Sequence, residues 1–172
     1  TVAGRQNQEE FNISNMLIKA KCKICRREGT KLFLKGEKCY SAKCTLVKKK
    51  YPPGVHGKKG YPKQTEYGRQ LREKQKLKRT YGILERQLKI YYQKAVDSKG
   101  NAEDNLLGFL EQRLDNVIYR VGFAASRTEA RQFVVHGHIR VNGRRVDRPS
   151  FQVKKNDEIT SKPQSKVIKR IK

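Results

Sequence analysis

The chain has 172 residues, and its 41 lysines and arginines against 16 aspartates and glutamates give a formal net charge of +25 at pH 7. Solubility does not require such an excess, which indicates a polyanionic partner, most simply a nucleic acid. No apolar run approaches the roughly 20 residues that span a bilayer, and proline and glycine interrupt the basic segments, so we expect no membrane partner. We also expect no small-molecule substrate.

The two ends of the chain stand apart from the motifs between them. Residues 1–18 are predicted to be an extension, and residues 161–172 a short basic tail. Met16 is the only methionine, and we expect it to be the native initiator, with an added segment before it. Glu9 and Glu10 argue against an organellar transit peptide, because such peptides are poor in acidic residues.

Four cysteines, the only ones in the chain, stand in two close pairs. Cys22 and Cys25 have the spacing C-x2-C, and Cys39 and Cys44 follow with the spacing C-x4-C. Two such pairs brought together make a tetrahedral thiolate site suited to Zn²⁺, with no open position for catalysis. Two disulfides or four free thiols are the alternatives. We predict one structural zinc ion in a zinc-binding segment over residues 19–47.

A basic loop rich in proline and glycine follows over residues 48–66. Proline and glycine disfavour regular structure, so the cations are expected to stand in an extended segment that lies along RNA phosphates. A disordered, solvated linker is the alternative. The candidate RNA contacts in the zinc-binding segment and this loop are Arg26, Arg27, Lys48, Lys49, Lys50, His56, Lys58, Lys59 and Lys63.

A small helical domain is predicted over residues 67–104. Its first helix, residues 67–82, is strongly basic, and cations recur there at three- and four-residue spacing. Its second helix runs from residue 83 to about residue 96. The candidate RNA contacts are Arg69, Arg72, Lys76 and Arg79. The apolar face of the second helix is predicted to consist of Ile83, Leu84, Leu88, Tyr91, Tyr92 and Ala95.

A compact module of two helices and a β-hairpin is predicted over residues 105–160. Its first helix extends to about Val121, where Gly122 can end it. Apolar residues recur in this helix at three- and four-residue intervals, the spacing of one buried face. That face consists of Leu106, Leu107, Leu110, Leu114, Val117, Ile118 and Val121.

The second helix and the hairpin of the module have local signals. Ser126, followed three residues later by Glu129, is the capping-box pattern that begins a helix, and Gly137 is expected to end it. A strand then leads into Asn142–Gly143, the pair that favours a type I′ hairpin turn. Residues 153–159 are predicted to form a second strand pair.

The arginines of this module are expected to cluster on neighbouring surfaces of the second helix and the hairpin. Like charges held so close repel each other, which indicates a bound polyanion. A small α+β domain with merely solvated arginines is the alternative. The candidate RNA contacts are Arg113, Ser126, Arg127, Arg131, His138, Arg140, Asn142, Arg144, Arg145 and Arg148.

Several stretches carry a resemblance to a known family. Residues 113–148 resemble the RNA-binding module named after small-subunit ribosomal protein four, which also occurs in some pseudouridine synthases and a tyrosyl-tRNA synthetase. Residues 22–44 (CKICRREGTKLFLKGEKCYSAKC), the YPPG-x-HG motif at 51–57 and LREKQKLKRTYGILERQ at 71–87 are similar to the small-subunit ribosomal protein four family itself. The match is to the bacterial type with four cysteines, over about residues 19–160.

The resemblance implies an α+β fold, with zinc-binding segment, basic loop, small helical domain and RNA-binding module in that order. It implies a structural constituent of the small ribosomal subunit, not an enzyme, that binds small-subunit rRNA and nucleates assembly. It also implies a place where mRNA enters, beside small-subunit protein five, and a role in translational accuracy. Lys59 and Lys63 would face the mRNA. A bacterial cytoplasmic ribosome is expected, with an organellar ribosome as the alternative.

Two other classes of function remain open at this point. An RNA-modifying enzyme could carry the same module, but it would need a catalytic aspartate or equivalent in a sizeable folded pocket. A zinc-finger regulator of DNA would present a base-reading helix beside its zinc site, whereas the segment after Cys44 is rich in proline and glycine. Competition between duplex DNA and structured RNA separates these classes.

Overall fold

The computed structural model describes residues 21–61 and 63–162. The predicted N-terminal extension, with Met16, and the basic tail beyond residue 162 lie outside the described residues. The chain divides into two compact units, one ending at Thr80 and the other starting at Tyr81. Within the described ranges, no helix is long and apolar enough to cross a membrane.

The N-terminal unit consists of short helices and turns. Its elements are α1 (Lys21–Glu28), a 3₁₀ turn (Gly36–Cys39), α2 (Thr45–Lys48), a second 3₁₀ turn (Val55–Lys59) and α3 (Glu66–Tyr81). The last residue of α3 belongs to the next unit. The basic helix predicted over residues 67–82 is therefore confirmed, with bounds that differ by one residue.

The second 3₁₀ turn corrects the prediction that residues 48–66 lack regular structure. Its backbone is held by two hydrogen bonds, from Gly57 N–H to the Gly54 carbonyl and from Gly60 N–H to the Gly57 carbonyl, each 3.1 Å long. Gly57 is buried, and a Cβ at this position would lie 2.0 Å from the Pro52 carbonyl oxygen. The turn can therefore form because residue 57 has no side chain.

The C-terminal unit combines helices with a small sheet. Its elements are α4 (Glu85–Asp97), α5 (Ala102–Glu111), α6 (Leu114–Arg120), α7 (Arg127–Val135), β1 (Ile139–Val141), β2 (Arg144–Arg145) and β3 (Ile159–Ser161). The sheet is antiparallel, with strand order β2-β1-β3. The predicted α+β class is confirmed.

The core of this unit joins α6, α7 and β1. Its buried side chains are Leu114, Ile118, Ala124, Ala130, Val134, Ile139 and Val141. Burying a leucine, isoleucine or valine contributes about 1.5–3 kcal/mol. This core therefore provides the rigid base from which the hairpin projects.

The single long helix predicted to end near Val121 is wrong, because α5 and α6 are separate helices. The helical conformation is interrupted at Arg113, whose backbone is extended (φ −62°, ψ 134°). The break allows the Leu114 N–H to donate to the Phe151 carbonyl at 2.8 Å. Apolar spacing continues across the break, but Leu107 and Val121, both predicted to be buried, are 45 % and 60 % exposed.

The hairpin is confirmed, and the second strand pair is wrong. Asn142 and Gly143 both have positive φ (51° and 75°), as a type I′ turn requires. No strand pair lies within residues 153–159. Instead β3 pairs with β1, with Ile159 opposite Val141, so the intervening loop returns the chain to the sheet beside the hairpin.

The predicted start of α7 is confirmed. The Ser126 hydroxyl accepts from the Glu129 N–H at 3.3 Å, and the Glu129 carboxylate accepts from the Ala125 N–H at 2.9 Å. The carboxylate therefore reaches one residue further back than the capping box predicts. Gly137, with φ 70°, follows the end of the helix as expected.

The apolar face predicted for the helix over residues 83–96 is confirmed in part. Its buried members are Ile83, Leu88, Tyr91 and Ala95. Leu84 and Tyr92, predicted to face a partner helix, are exposed. Each is adjacent in sequence to a buried residue, Leu84 to Ile83 and Tyr92 to Tyr91.

Candidate nucleic-acid interface and cysteine cluster

The hairpin and the residues just after it present four cations to solvent. We name these the hairpin arginines, and they are Arg140, Arg144, Arg145 and Arg148. Among the described residues, none forms a hydrogen bond or an ion pair with their side chains. Gly137 makes room for Arg145, since a Cβ at residue 137 would lie 2.3 Å from the Arg145 Nε. His138 is half-buried, with its ring 6.2 Å from that of Phe133.

Arg113 is a buried structural residue, which corrects its prediction as an RNA contact. The residue is 1 % exposed. Its Nε and Nη2 donate to the Asp115 carboxylate at 3.0 and 2.8 Å, and its Nη1 donates to the Tyr91 hydroxyl at 3.0 Å. Every nitrogen of the guanidinium is used inside the protein, so none is available to a phosphate.

Arg127 is fixed by three neighbours. Its Nε donates to the Asn116 side-chain oxygen at 2.8 Å. Its guanidinium lies 5.0 Å from the ring centre of Tyr81 and 4.6 Å from that of Tyr119. Such cation–π contacts fix the orientation of the guanidinium plane and also stabilise its positive charge.

Three other predicted contacts of the module are engaged by the fold. Arg131 Nη1 donates to the Gly82 carbonyl at 2.7 Å. Ser126 caps α7, and its side chain is buried. The Asn142 amide donates to the Asp157 carboxylate at 2.9 Å and so ties the hairpin turn to the following loop. All three side chains therefore bond within the C-terminal unit.

Glu111 is the centre of a polar network that the sequence did not single out. Its carboxylate accepts from the Tyr81 hydroxyl at 2.5 Å, from Arg120 at 2.8 and 3.1 Å, and from the Asn116 amide at 2.7 Å. Burial alone would raise the pKa of Glu111, but these hydrogen bonds outweigh it and lower the pKa to about 2. Burial and the bond to Glu111 raise the pKa of Tyr81 to about 12.

Arg26, in α1, connects that helix to the proline-rich loop. Its Nε donates to the Tyr51 carbonyl at 2.9 Å and its Nη2 to the Pro52 carbonyl at 3.0 Å. Its guanidinium also lies 4.7 Å from the ring centre of Tyr51. The Tyr61 hydroxyl donates to the Arg26 carbonyl at 2.5 Å. Much of the bonding capacity of Arg26 is therefore used to hold the loop in place.

Two of the predicted cations of α3 meet a buried acidic residue. Arg72 and Arg79 both donate to the same oxygen of Glu28, whose side chain is fully buried. The other oxygen, Oε2, has no partner among the described residues. Two further ion pairs along α3 join Arg69 to Glu66 and Lys76 to Glu73. Glu28 was missed because its partners are distant in sequence.

The remaining predicted RNA contacts of the N-terminal unit are exposed. They are Arg27, Lys48, Lys49, Lys50, His56, Lys58, Lys59 and Lys63. His56, Lys58 and Lys59 lie in the second 3₁₀ turn, and the others lie outside it. All of them are separate in sequence from the hairpin arginines.

The four cysteines line one cavity. Cys22, Cys25, Cys39 and Cys44 surround a space of about 20 Å³, and none of them is in a disulfide. The Lys35 N–H donates to the Cys39 sulfur at 3.3 Å. Burial raises the pKa of Cys25, and the neighbouring cysteines raise it further. Within the described ranges, no group of three or more histidine, cysteine or acidic side chains lies close enough together to hold a metal.

Residues 112–159, which contain the β-hairpin and its unpaired arginines, match the family described as S4 domain. Residues 16–111 match the family described as Ribosomal protein S4/S9 N-terminal domain. The chain therefore belongs to the ribosomal protein uS4 family, whose members are structural proteins and not enzymes.

Relatives from bacteria resemble the chain along most of its length. The small ribosomal subunit protein uS4 of Natranaerobius thermophilus is 58% identical over 150 residues, which cover 87% of this chain and 72% of the relative. The uS4 protein of Halothermothrix orenii is 56% identical over 88% of this chain and 72% of its own length. The uS4A protein of Clostridium botulinum is 56% identical over 89% of this chain and 74% of its own length.

Proposed function

We propose that this chain is a structural constituent of the small ribosomal subunit that binds small-subunit rRNA directly and nucleates assembly. The observation that carries the proposal is the set of hairpin arginines, which are exposed and unpaired within the described structure. The net charge of +25 supports it. So does the name of the relatives, which describes proteins of the small ribosomal subunit.

Binding would rest on phosphates and on the shape of folded RNA. Lysine and arginine neutralise phosphates and release counterions, so affinity falls steeply with salt. Sequence is hard to read in A-form helices, and proteins recognise their shape and 2′-hydroxyls instead. The hairpin arginines would bind one RNA surface, and the cations around the second 3₁₀ turn would bind another.

The surroundings in the ribosome follow from the same proposal. We infer that the chain lies where mRNA enters the small subunit, with small-subunit protein five as a neighbour, and that it contributes to translational accuracy. Lys59 and Lys63, both exposed, are the residues proposed to face mRNA. The ribosome in question would be that of a bacterial cytoplasm, as the bacterial relatives suggest.

We also propose that the cysteine cluster holds one structural zinc ion. The four cysteine sulfurs around one cavity are the donor set of a tetrahedral zinc site, and they would draw closer together on binding the ion, since among the described residues they are not close enough to hold a metal. The Lys35 N–H, which donates to the Cys39 sulfur, would stabilise its thiolate. Zinc bound there would fix a segment that has little apolar core. Elemental analysis of the full chain should find one zinc per molecule, and Cys39→Ser should abolish it. Absence of zinc from protein purified without chelator would contradict this proposal.

Competition binding tests the rRNA proposal. The full chain should bind small-subunit rRNA in the presence of excess tRNA and duplex DNA. The double variant Arg144→Gln/Arg145→Gln should weaken that binding strongly. The matched double variant Arg86→Gln/Lys89→Gln removes the same charge from exposed positions of α4 and should change it little. Equal losses in both variants would mean that net charge alone drives binding.

A further inference from the structure

Arg127 differs from Arg113 and from the hairpin arginines in how it is held. Arg113 uses all three of its nitrogens on Asp115 and Tyr91. The hairpin arginines use none within the described structure. Arg127 uses Nε alone, on Asn116, and so combines a fixed position with unused donors.

The two terminal nitrogens of Arg127 are not used within the described structure. They form no hydrogen bond with any described residue. Among the described residues, the buried side-chain nitrogens and oxygens that lack a partner are confined to Glu28 and Gln152. The terminal nitrogens of Arg127, which also lack a partner, are therefore not fully buried, although burial of the side chain lowers its pKa.

The neighbours of Arg127 are themselves fixed. Asn116 is 1 % exposed, and its amide donates to Glu111 at 2.7 Å while its oxygen accepts from Arg127. The Tyr81 hydroxyl donates to the same carboxylate at 2.5 Å. Glu111 therefore holds both the hydrogen-bonding partner of Arg127 and one of the two rings that cover it. Tyr119 covers it as well.

We propose that Arg127 is a preorganised phosphate contact: Tyr81, Tyr119 and Asn116 fix its guanidinium, and its two terminal nitrogens bind one backbone phosphate of the RNA. This inference rests on the proposed function and names the contact and the residues that position it. A planar guanidinium with two parallel donors matches two oxygens of one phosphate. Fixing the side chain in advance avoids much of the entropy that a free arginine loses on binding.

The salt dependence of binding is the readout, because a merely structural residue would not change it. Each phosphate contact contributes about 0.7–0.9 to the slope of log K against log salt. Arg127→Gln in the full chain should reduce the slope by about one contact, with affinity falling on the order of tenfold at moderate salt. Arg86→Gln, which removes one exposed charge from α4, should leave the slope unchanged. Equal slopes for both variants would overturn the proposal.

The positioning residues are tested by a matched pair at Tyr119. Tyr119→Leu removes the aromatic face and should weaken binding about threefold, the size expected of a cation–π contact at an accessible site. Tyr119→Phe keeps the ring and should bind like the parent. If both bind like the parent, Tyr119 does not position Arg127. Thermal melting of each variant identifies any that is unfolded. If Arg127→Gln is unfolded, Arg127→Lys replaces it, because lysine keeps the charge but lacks the two parallel donors. Arg127→Lys should bind more weakly with an unchanged salt slope.

The two proposals fail in different ways. If the parent protein binds small-subunit rRNA no better than tRNA, the proposed ribosomal function is wrong. The comparison of Arg127→Gln with Arg86→Gln remains decisive in that case, because a phosphate contact carries no sequence information and can be measured on either RNA. If the parent is specific but Arg127→Gln keeps its salt slope, only the inference about Arg127 is wrong.

Discussion

The two units of this chain are stabilised in different ways. The C-terminal unit has a continuous apolar core, with Leu114, Ile118, Val134 and Ile139 almost fully buried. Among the described residues of the N-terminal unit, Leu32 and three of the cysteines are the buried hydrophobic side chains. That unit depends instead on polar contacts, such as those of Arg26 with the proline-rich loop.

This difference shows that positive charge has two uses in the same chain. In the N-terminal unit, Arg26, Arg72 and Arg79 bind carbonyls or a buried carboxylate and so hold the fold. In the C-terminal unit Arg113 and Arg131 likewise bond within the fold, whereas the hairpin arginines have no partner among the described residues. Counting cations from the sequence therefore overestimates the RNA-binding surface in both units.

The largest expected effect concerns the cysteine cluster. Cys39→Ser should unfold much of the N-terminal unit and leave the C-terminal unit folded, because loss of a ligand would remove the proposed zinc from a unit with little apolar core. Hydrogen exchange of the full chain should show loss of protection in α1 and retention in α7. Ala42→Ser, at a neighbouring exposed position, is the control. If α1 keeps its protection from hydrogen exchange in Cys39→Ser, the N-terminal unit does not depend on the cysteine cluster, and the proposed difference between the two units is wrong.

The next effect tests the buried ion pair of the C-terminal unit. Asp115→Asn leaves the Arg113 guanidinium buried without an anion and should lower the free energy of unfolding by about 3–5 kcal/mol. Asp147→Asn, at an exposed position in the same unit, is the matched control. Urea unfolding measures both. Similar stabilities would show that Arg113 does not need Asp115.

The apolar core is tested by two leucines of one helix. Leu110 is fully buried in α5, whereas Leu107 is 45 % exposed. Leu110→Ala should cost about 2–5 kcal/mol, and Leu107→Ala should stay within about 0.5 kcal/mol of the parent. Urea unfolding again gives the comparison. If Leu107→Ala also lowers the free energy of unfolding by several kcal/mol, Leu107 is buried, as the sequence analysis predicted.

The smallest effect is a dependence on pH through Glu111. Its pKa is lowered from 4.5 to about 2 in the fold, so its contacts stabilise the protein above pH 4.5, and this contribution is lost as the pH falls towards 2. Glu111→Gln should therefore lose less stability than the parent between these pH values. Glu158→Gln, which replaces an exposed acid, should follow the parent. Thermal melting across this pH range measures the loss of stability. If Glu111→Gln loses as much stability as the parent, the lowered pKa of Glu111 does not stabilise the fold.

The elements that sequence reasoning predicted well have local causes. The Asn142–Gly143 turn requires two adjacent residues that tolerate positive φ, and the start of α7 requires a serine and a glutamate three residues apart. Both signals lie within a few residues. The exposed hairpin arginines follow from the turn, because β1 and β2 pair in the register that Asn142–Gly143 sets.

The features that were missed depend on partners distant in sequence. The break before α6 exists because Leu114 bonds to the Phe151 carbonyl, which the apolar spacing around residue 113 does not reveal. Glu28 meets Arg72 and Arg79 across a long stretch of chain. Such long-range contacts decide whether a given arginine stabilises the fold or is left available to RNA. The local sequence around the arginine does not reveal them.

A hydroxyl-radical footprint of the full chain on small-subunit rRNA tests the central claim most directly. The account predicts discrete protection near one multi-helix junction that persists in excess tRNA and duplex DNA, because positioned arginines recognise a particular folded shape. Diffuse protection that either competitor abolishes would contradict it, since the net charge of +25 alone would then explain binding.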